Sequence, residues 1–213
     1  YLDSLGAKKI RLQSGWAKTE KQKGVYDFVW LDSIVDDALA RSIEPWIQIS
    51  YGNELYQGAG GISLGDGLPT SDEAYEAWLN YTEALVDHYK DRVDIWEIWN
   101  EADHRYNEGG PELYARLYYE TAKKIRKVQP NAKLVGLSMA GIGRIEYVNF
   151  FFNYLKEKDA LHLVDVVTFH GYPKNPDDGF EAVSRSQELA YKYRPGIEFW
   201  QGETGCPSTF GSS

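Results

Sequence analysis

Two glutamates stand where chemistry is to be expected. Glu101 closes the run Ile95-Trp96-Glu97-Ile98-Trp99-Asn100-Glu101, a short apolar strand that ends in an amide and a carboxylate with no turn residue between them. Glu203 follows Ile197–Gln201 (IEFWQ) by one glycine and precedes Thr204-Gly205. The carboxyl end of a buried parallel strand is where α/β enzymes place their reacting groups. No phosphate-binding glycine loop is seen and Cys206 is the only cysteine, so two such carboxylates suggest paired acid and nucleophile work. Cleavage of a glycosidic bond needs that pair: one carboxyl protonates the departing oxygen while the other attacks the anomeric carbon.

The remaining strand ends carry Arg11, Ser50-Tyr51-Gly52-Asn53, Asn100, Ser138 and His170-Gly171-Tyr172. Asn100 is expected to hydrogen-bond a sugar hydroxyl beside the reacting carbon. Arg11 and Tyr172 are expected to hold Glu203 ionised, by charge and by donated hydrogen bonds. Glu101 would have to carry a proton at working pH. Trp16 and Tyr51 are candidate sugar contacts, Trp16 as a stacking platform, each set against a packing or loop-fixing role; Asn53 stands with them. Glu97 has the strand parity of Glu101 and points inward too, where an interior hydrogen-bond partner is the expected role. His170 is read as a substrate-site residue against a plain strand cap. His104 and Arg105 follow Glu101, and a solvated loop role is the plainer reading of both. His88 and His162 carry no site signal.

Strand and helix patterns alternate to position these residues. Strands are expected at Ala7–Gln13, Pro45–Ser50, Val93–Glu101, Lys133–Met139, Val164–Phe169 and Ile197–Gln201. Between them run helical stripes: Leu31, Ile34, Val35, Ala38 and Leu39 within Phe28–Ser42; Ala74, Trp78, Tyr81 and Leu85 after a Thr70/Glu73 capping box; Tyr114, Leu117, Thr121, Ile125 and Val128 after Pro111; Val148, Phe151, Phe152 and Leu155 within Glu146–Lys158; and Glu181–Tyr193. Such βα repetition curls one way and closes into a barrel. The competing open, doubly wound sheet places a G-x-G-x-x-G turn after its first strand, and here Ser14-Gly15-Trp16 stands instead. The expected fold class is therefore α/β, a (β/α)8 barrel, with residues 1–213 as a single catalytic domain. Six strands where eight are needed predict a barrel truncated at both ends.

Composition narrows the partners. A net charge of −9 with no Lys/Arg stripe argues against nucleic acid, and no apolar run approaches membrane-span length. Sixteen tyrosines and seven tryptophans fill a core first, and some of them suit flat sugar faces. The lone cysteine rules out an intrachain disulfide and a thiolate-rich metal site. A secreted or periplasmic location is compatible with this, though the stretch from Tyr1 onward fixes none. No cofactor and no metal is expected, and the expected partner is an oligo- or polysaccharide.

Trp96–Glu101 (WEIWNE), His170-Gly171-Tyr172 and Glu203-Thr204-Gly205 together resemble the clan A glycoside hydrolases, retaining (β/α)8 enzymes. The resemblance implies that Glu101, after Asn100 at the end of the fourth barrel strand, is the acid/base, and that Glu203 on the seventh is the nucleophile. It also matches Arg11 to the arginine of the second strand and His170/Tyr172 to the H-x-Y of the sixth, so the six strands would be numbers two to seven. Gly24–Phe28 (GVYDF) and the helix after it look most like family 39, with families 5 and 42 similar. Two other classes compete with a retaining glycosidase: a non-catalytic glycan-binding barrel, and a metal-dependent sugar isomerase with Glu101, Glu203 and His170 as ligands.

Overall fold

The computed structural model describes residues 5–62, 67–104, 109–175 and 177–205. Six strands lie in one parallel sheet in sequence order: β1 (Lys9–Gln13), β2 (Glu44–Ile49), β3 (Ile95–Ile98), β4 (Lys133–Met139), β5 (Val166–Gly171) and β6 (Glu198–Thr204). A one-turn helix α1 (Trp16–Thr19) and then α2 (Val29–Ala40) join the first pair. The later crossovers are α3 (Asp72–Tyr89), α4 (Gly110–Val128), α5 (Ile145–Glu157) and α6 (Phe180–Tyr193).

The sheet is strongly curled. Neighbouring strands sit about 4.8 Å apart, so a flat sheet would hold β1 and β6 roughly 24 Å from each other. Instead Arg11 of β1 reaches Glu203 of β6 at 2.5 Å, and the Trp46 and Trp200 rings of β2 and β6 meet edge to face at 5.2 Å. The six strands thus wrap an interior as an open (β/α) barrel, as the alternating pattern predicts.

Period-two alternation sorts the strands into two faces. Trp96 and Ile98 of β3 point outward into the large core beneath the helices, with Trp78, Tyr81 and Leu85 of α3, Tyr114, Tyr118 and Ile125 of α4, and Phe151 and Leu155 of α5. Ile95 points inward to a second, small apolar cluster with Trp46, Val135, Val166 and Trp200. One inward step up the same strands are Gln48, Glu97 and Thr168, all buried and polar.

Several expectations shift. The cap of α3 is Ser71, whose side chain accepts from the Ala74 amide at 3.1 Å, because the Thr70 hydroxyl is turned to donate to the Gly58 carbonyl. On α2, Leu31, Val35 and Ala38 are buried, while Ile34 and Leu39 lie on an exposed flank. β3 ends at Ile98, three residues short of Glu101, since Trp99 (φ 67°) and Glu101 (φ 47°) are left-handed and leave the strand path. By contrast β5 and β6 reach further at their carboxyl ends than expected and take His170 and Glu203 into the sheet itself. Among the described residues, no helix is long and apolar enough to cross a membrane.

Candidate active site

Three backbone irregularities aim the site residues. Pairing of β5 with β6 slips after Phe169↔Gln201, so that His170 faces Glu203 and Gly202 is the extra residue of a β-bulge. Trp200 is inward; without the bulge Glu203 would face outward. Gly202 suits the place, for a Cβ there would press on the His170 ring at 3.3–3.4 Å. On β4 the register slips between Gly136 and Met139, where Leu137 (φ 70°) and Ser138 (φ 41°) are left-handed. The Ser138 hydroxyl then reaches both Arg11 and His170. At β3 the left-handed Glu101 is held by its own amide, which donates to the Ser138 carbonyl at 2.8 Å. Left-handed non-glycine residues are strained, and such strain gathers at functional sites.

Arg11 is the hub. Its Nε and Nη2 donate to the two oxygens of Glu97 at 2.6 and 3.2 Å, and its Nη1 donates to Glu203 Oε1 at 2.5 Å. Nη2 also donates to Asn100 Oδ1 at 3.0 Å. Burial works against the guanidinium charge, but Glu97 and then Glu203 outweigh it and hold Arg11 above its ordinary value. Glu203 receives a second hydrogen bond from the Tyr172 hydroxyl at 2.8 Å. Burial alone would raise the Glu203 pKa; the bonds from Arg11 and Tyr172, helped by His170, bring it below the usual carboxylate range. That ionised group stabilises the fold above the usual carboxylate range, and the contribution is lost as pH falls through its depressed value.

His170 stands between the two carboxylates. Its Nδ1 lies 2.8 Å from Glu101 Oε1 and its Nε2 lies 3.6 Å from Glu203 Oε1. Arg11 Nη2 is a donor in every state and sits 3.4 Å from Nε2, which favours the tautomer with the proton on Nδ1, donated to Glu101. One carboxylate oxygen of Glu101, one of Glu203 and a ring nitrogen of His170 all lie within 4.8 Å of one another.

Of the other expected contacts, Tyr172 is exposed and borders the site. Asn100 is buried, its carbonyl oxygen taken by Arg11 and by Gln48 Nε2 at 2.8 Å, so only its amide N–H groups are left to meet a sugar hydroxyl. Tyr51 is 7% exposed; its hydroxyl accepts from Gln13 Nε2 and its ring meets Trp99 edge-on. Trp16 is corrected: it has no exposed surface, stacks between Tyr56 and Tyr81, and donates to Glu20 at 2.5 Å. It is a core residue, and further chain packed against it could only bury it more. Asn53 is a loop-fixing residue, donating to the Glu20 carbonyl and accepting from the Leu55 amide. His88, at the end of α3, pairs with Asp32 of α2. Arg105 lies outside the described residues.

Gln48, Thr168 and Asp103 escaped the sequence reading. Inward parity two residues below Ser50 and His170 was the available signal for the first two. Asp103, its side chain without exposed surface, accepts from the Ala140 and Gly141 amides at 2.8 and 3.1 Å and ties the Glu101 loop to the loop after β4. Burial raises its pKa, and those amides with Arg144 offset only part of that.

The cluster of Glu101, His170 and Glu203 has the donor atoms of a metal site. A guanidinium already stands among them, bonded to Glu203 and beside His170, and its charge opposes a second cation.

Comparison with known proteins follows this geometry. The chain is 28% identical over 162 residues to a β-xylosidase of Geobacillus stearothermophilus, covering 71% of this chain and 32% of that protein. It is 28% identical over 212 residues to a β-xylosidase of Caldicellulosiruptor saccharolyticus, covering 91% of this chain and 42% of that one. Thus the chain spans about a third to two-fifths of the length of these relatives. A solved family 39 β-xylosidase from Caulobacter crescentus superposes with a TM-score of 0.74 at 25% identity, over 98% of this chain and 49% of that structure. The profile of the glycosyl hydrolases family 39 matches residues 9–197, most of the sequence, and the chain belongs to that family.

Proposed function

We propose that this chain carries the catalytic pair of a retaining glycoside hydrolase, with Glu203 as nucleophile and Glu101 as acid/base. The observation that carries the reading is the approach of the two carboxylates, with oxygens within 4.8 Å across the strand ends. Retaining enzymes hold their carboxyl groups about 5–5.5 Å apart, whereas inverting enzymes leave about 6.5–9.5 Å for a water. Electrostatics divide the roles, since Arg11 and Tyr172 keep Glu203 an anion.

In the first step a Glu203 oxygen attacks the anomeric carbon as the bond to the leaving oxygen breaks, and Glu101 gives that oxygen its proton. A glycosyl ester of Glu203 results. In the second step Glu101, now a carboxylate, takes a proton from water as the water oxygen attacks the same carbon, and Glu203 departs as a carboxylate. The His170 Nδ1 proton would orient Glu101 through both steps. Two relatives are named β-xylosidases, so β-xylosides are the first substrates to try.

An activated 2-fluoro-xyloside tests the reading. The chain should gain the mass of one fluoro-sugar, mapped to the Glu203 peptide, and Glu203→Ala should gain none. An adduct on the Ala variant would remove Glu203 from the mechanism.

A further inference from the structure

We propose that Glu97, in the middle of the barrel interior, is a positioning residue that divides the Arg11 guanidinium between two carboxylates and so keeps Glu203 basic enough to attack a sugar carbon. The inference rests on Glu203 being the nucleophile.

Arg11 has one charge and two carboxylate partners. Glu97 takes Nε and Nη2, and Glu203 takes Nη1 alone. Glu97 has no exposed surface, so water does not screen it, and the Thr168 hydroxyl donates to the same Oε1 that Arg11 Nη2 reaches, at 3.0 Å. A buried carboxylate so held needs a cation, and Arg11 supplies it. The Arg11–Glu97 pair is formally neutral, so Glu203 meets the edge of a compensated pair rather than an unshared cation.

A carboxylate nucleophile must be basic enough to attack and acidic enough to leave. An arginine spent wholly on Glu203 would favour departure at the expense of attack. Among the described residues, the other groups facing Glu203 are Tyr51 from the end of β2, Glu101 from beyond β3, and His170 and Tyr172 from β5 and its end. From β4 comes only the Ser138 hydroxyl, which bonds Arg11 at 3.3 Å. Glu97 alone among these carboxylates has no route to substrate.

A plainly structural Glu97 would serve only to neutralise Arg11 in the interior. The two roles differ in what happens to Glu203. The test is a titration of the Glu203 carboxyl by carbon-13 NMR in the wild-type chain and in Glu97→Gln. With the competing charge removed, the Glu203 midpoint should fall by roughly one unit. Adduct formation with the fluoro-xyloside should slow, and hydrolysis of the adduct should not. Glu97→Asp, which keeps the charge but draws it back by one methylene, should give a smaller fall. An unchanged or raised midpoint in Glu97→Gln overturns the inference. Should that variant not fold, Glu97→Asp reads the same question, and an unmoved midpoint there overturns it. The titration needs no turnover: a wild-type chain that forms no adduct overturns the catalytic assignment instead.

Discussion

The barrel interior has two floors built by the same strands. The lower holds Trp46, Ile95, Val135, Val166 and Trp200, an apolar cluster edged by the Lys9–Glu44 and Lys133–Glu198 ion pairs, whose lysines lie over the Trp200 ring. The upper holds Arg11, Gln48, Glu97, Thr168 and His170: Arg11 and Thr168 donate to Glu97, His170 meets Glu101, and Gln48 shares the Asn100 carbonyl oxygen with Arg11. Two residues along a strand separate them: Trp46 from Gln48, Ile95 from Glu97, Val166 from Thr168. The lower floor gains by removing apolar surface from water, about 25 cal/mol per Å². The upper floor takes charges out of water, and its pairs do little more than offset that cost. Stability is therefore expected to reside below and chemistry above.

Three substitutions can break or sharpen this division. Arg11→Ala should have the largest effect, because it leaves Glu97 buried without its cation. A loss of about 3–5 kcal/mol in denaturant unfolding is expected, together with loss of fluoro-sugar adduct formation. A fully stable Arg11→Ala would mean that the upper floor is not held by charge. Ile95→Ala should cost about 2–5 kcal/mol from the cavity it opens in the lower floor. Its pH–rate profile should keep the wild-type limbs, and a displaced limb would show that the floors are coupled. The smallest effect belongs to Tyr172→Phe. Tyr172 is exposed and donates one hydrogen bond to ionised Glu203, so stability should change little. Without that donor the Glu203 pKa rises, and the acid limb of kcat/KM, which needs Glu203 ionised, should move to higher pH by up to about one unit. A move to lower pH would contradict the assignment.

The order of strands and helices was legible because short, largely apolar runs mark β2, β3 and β4, while apolar residues recur about every 3.6 residues along α3, α4 and α5. The residue types at the strand ends were legible for a related reason. A carboxylate such as Glu101 directly after an apolar run has no packing role to explain it. Element boundaries near the site were misjudged where the backbone departs from regularity. Trp99 and Glu101 turn left-handed and shorten β3, and the Gly202 bulge draws Glu203 into β6. Trp16 was left between two roles because an indole after a strand suits a cleft and a core equally, and only its neighbours Tyr56 and Tyr81 decide.

By itself the sequence determined which groups are available: two glutamates, one arginine, an H-x-Y and the alternation that builds a barrel wall. The tertiary structure decided which of them meet. Curling brings Arg11 of the first strand onto Glu203 of the sixth, a contact that no local pattern encodes. A one-residue bulge selects the face on which Glu203 lies, because strand side chains alternate and one extra residue reverses their sense. It also gave Glu97 its place. Parity marks that residue only as inward, whereas its hold on two nitrogens of a shared guanidinium makes it a competitor of Glu203 for that cation.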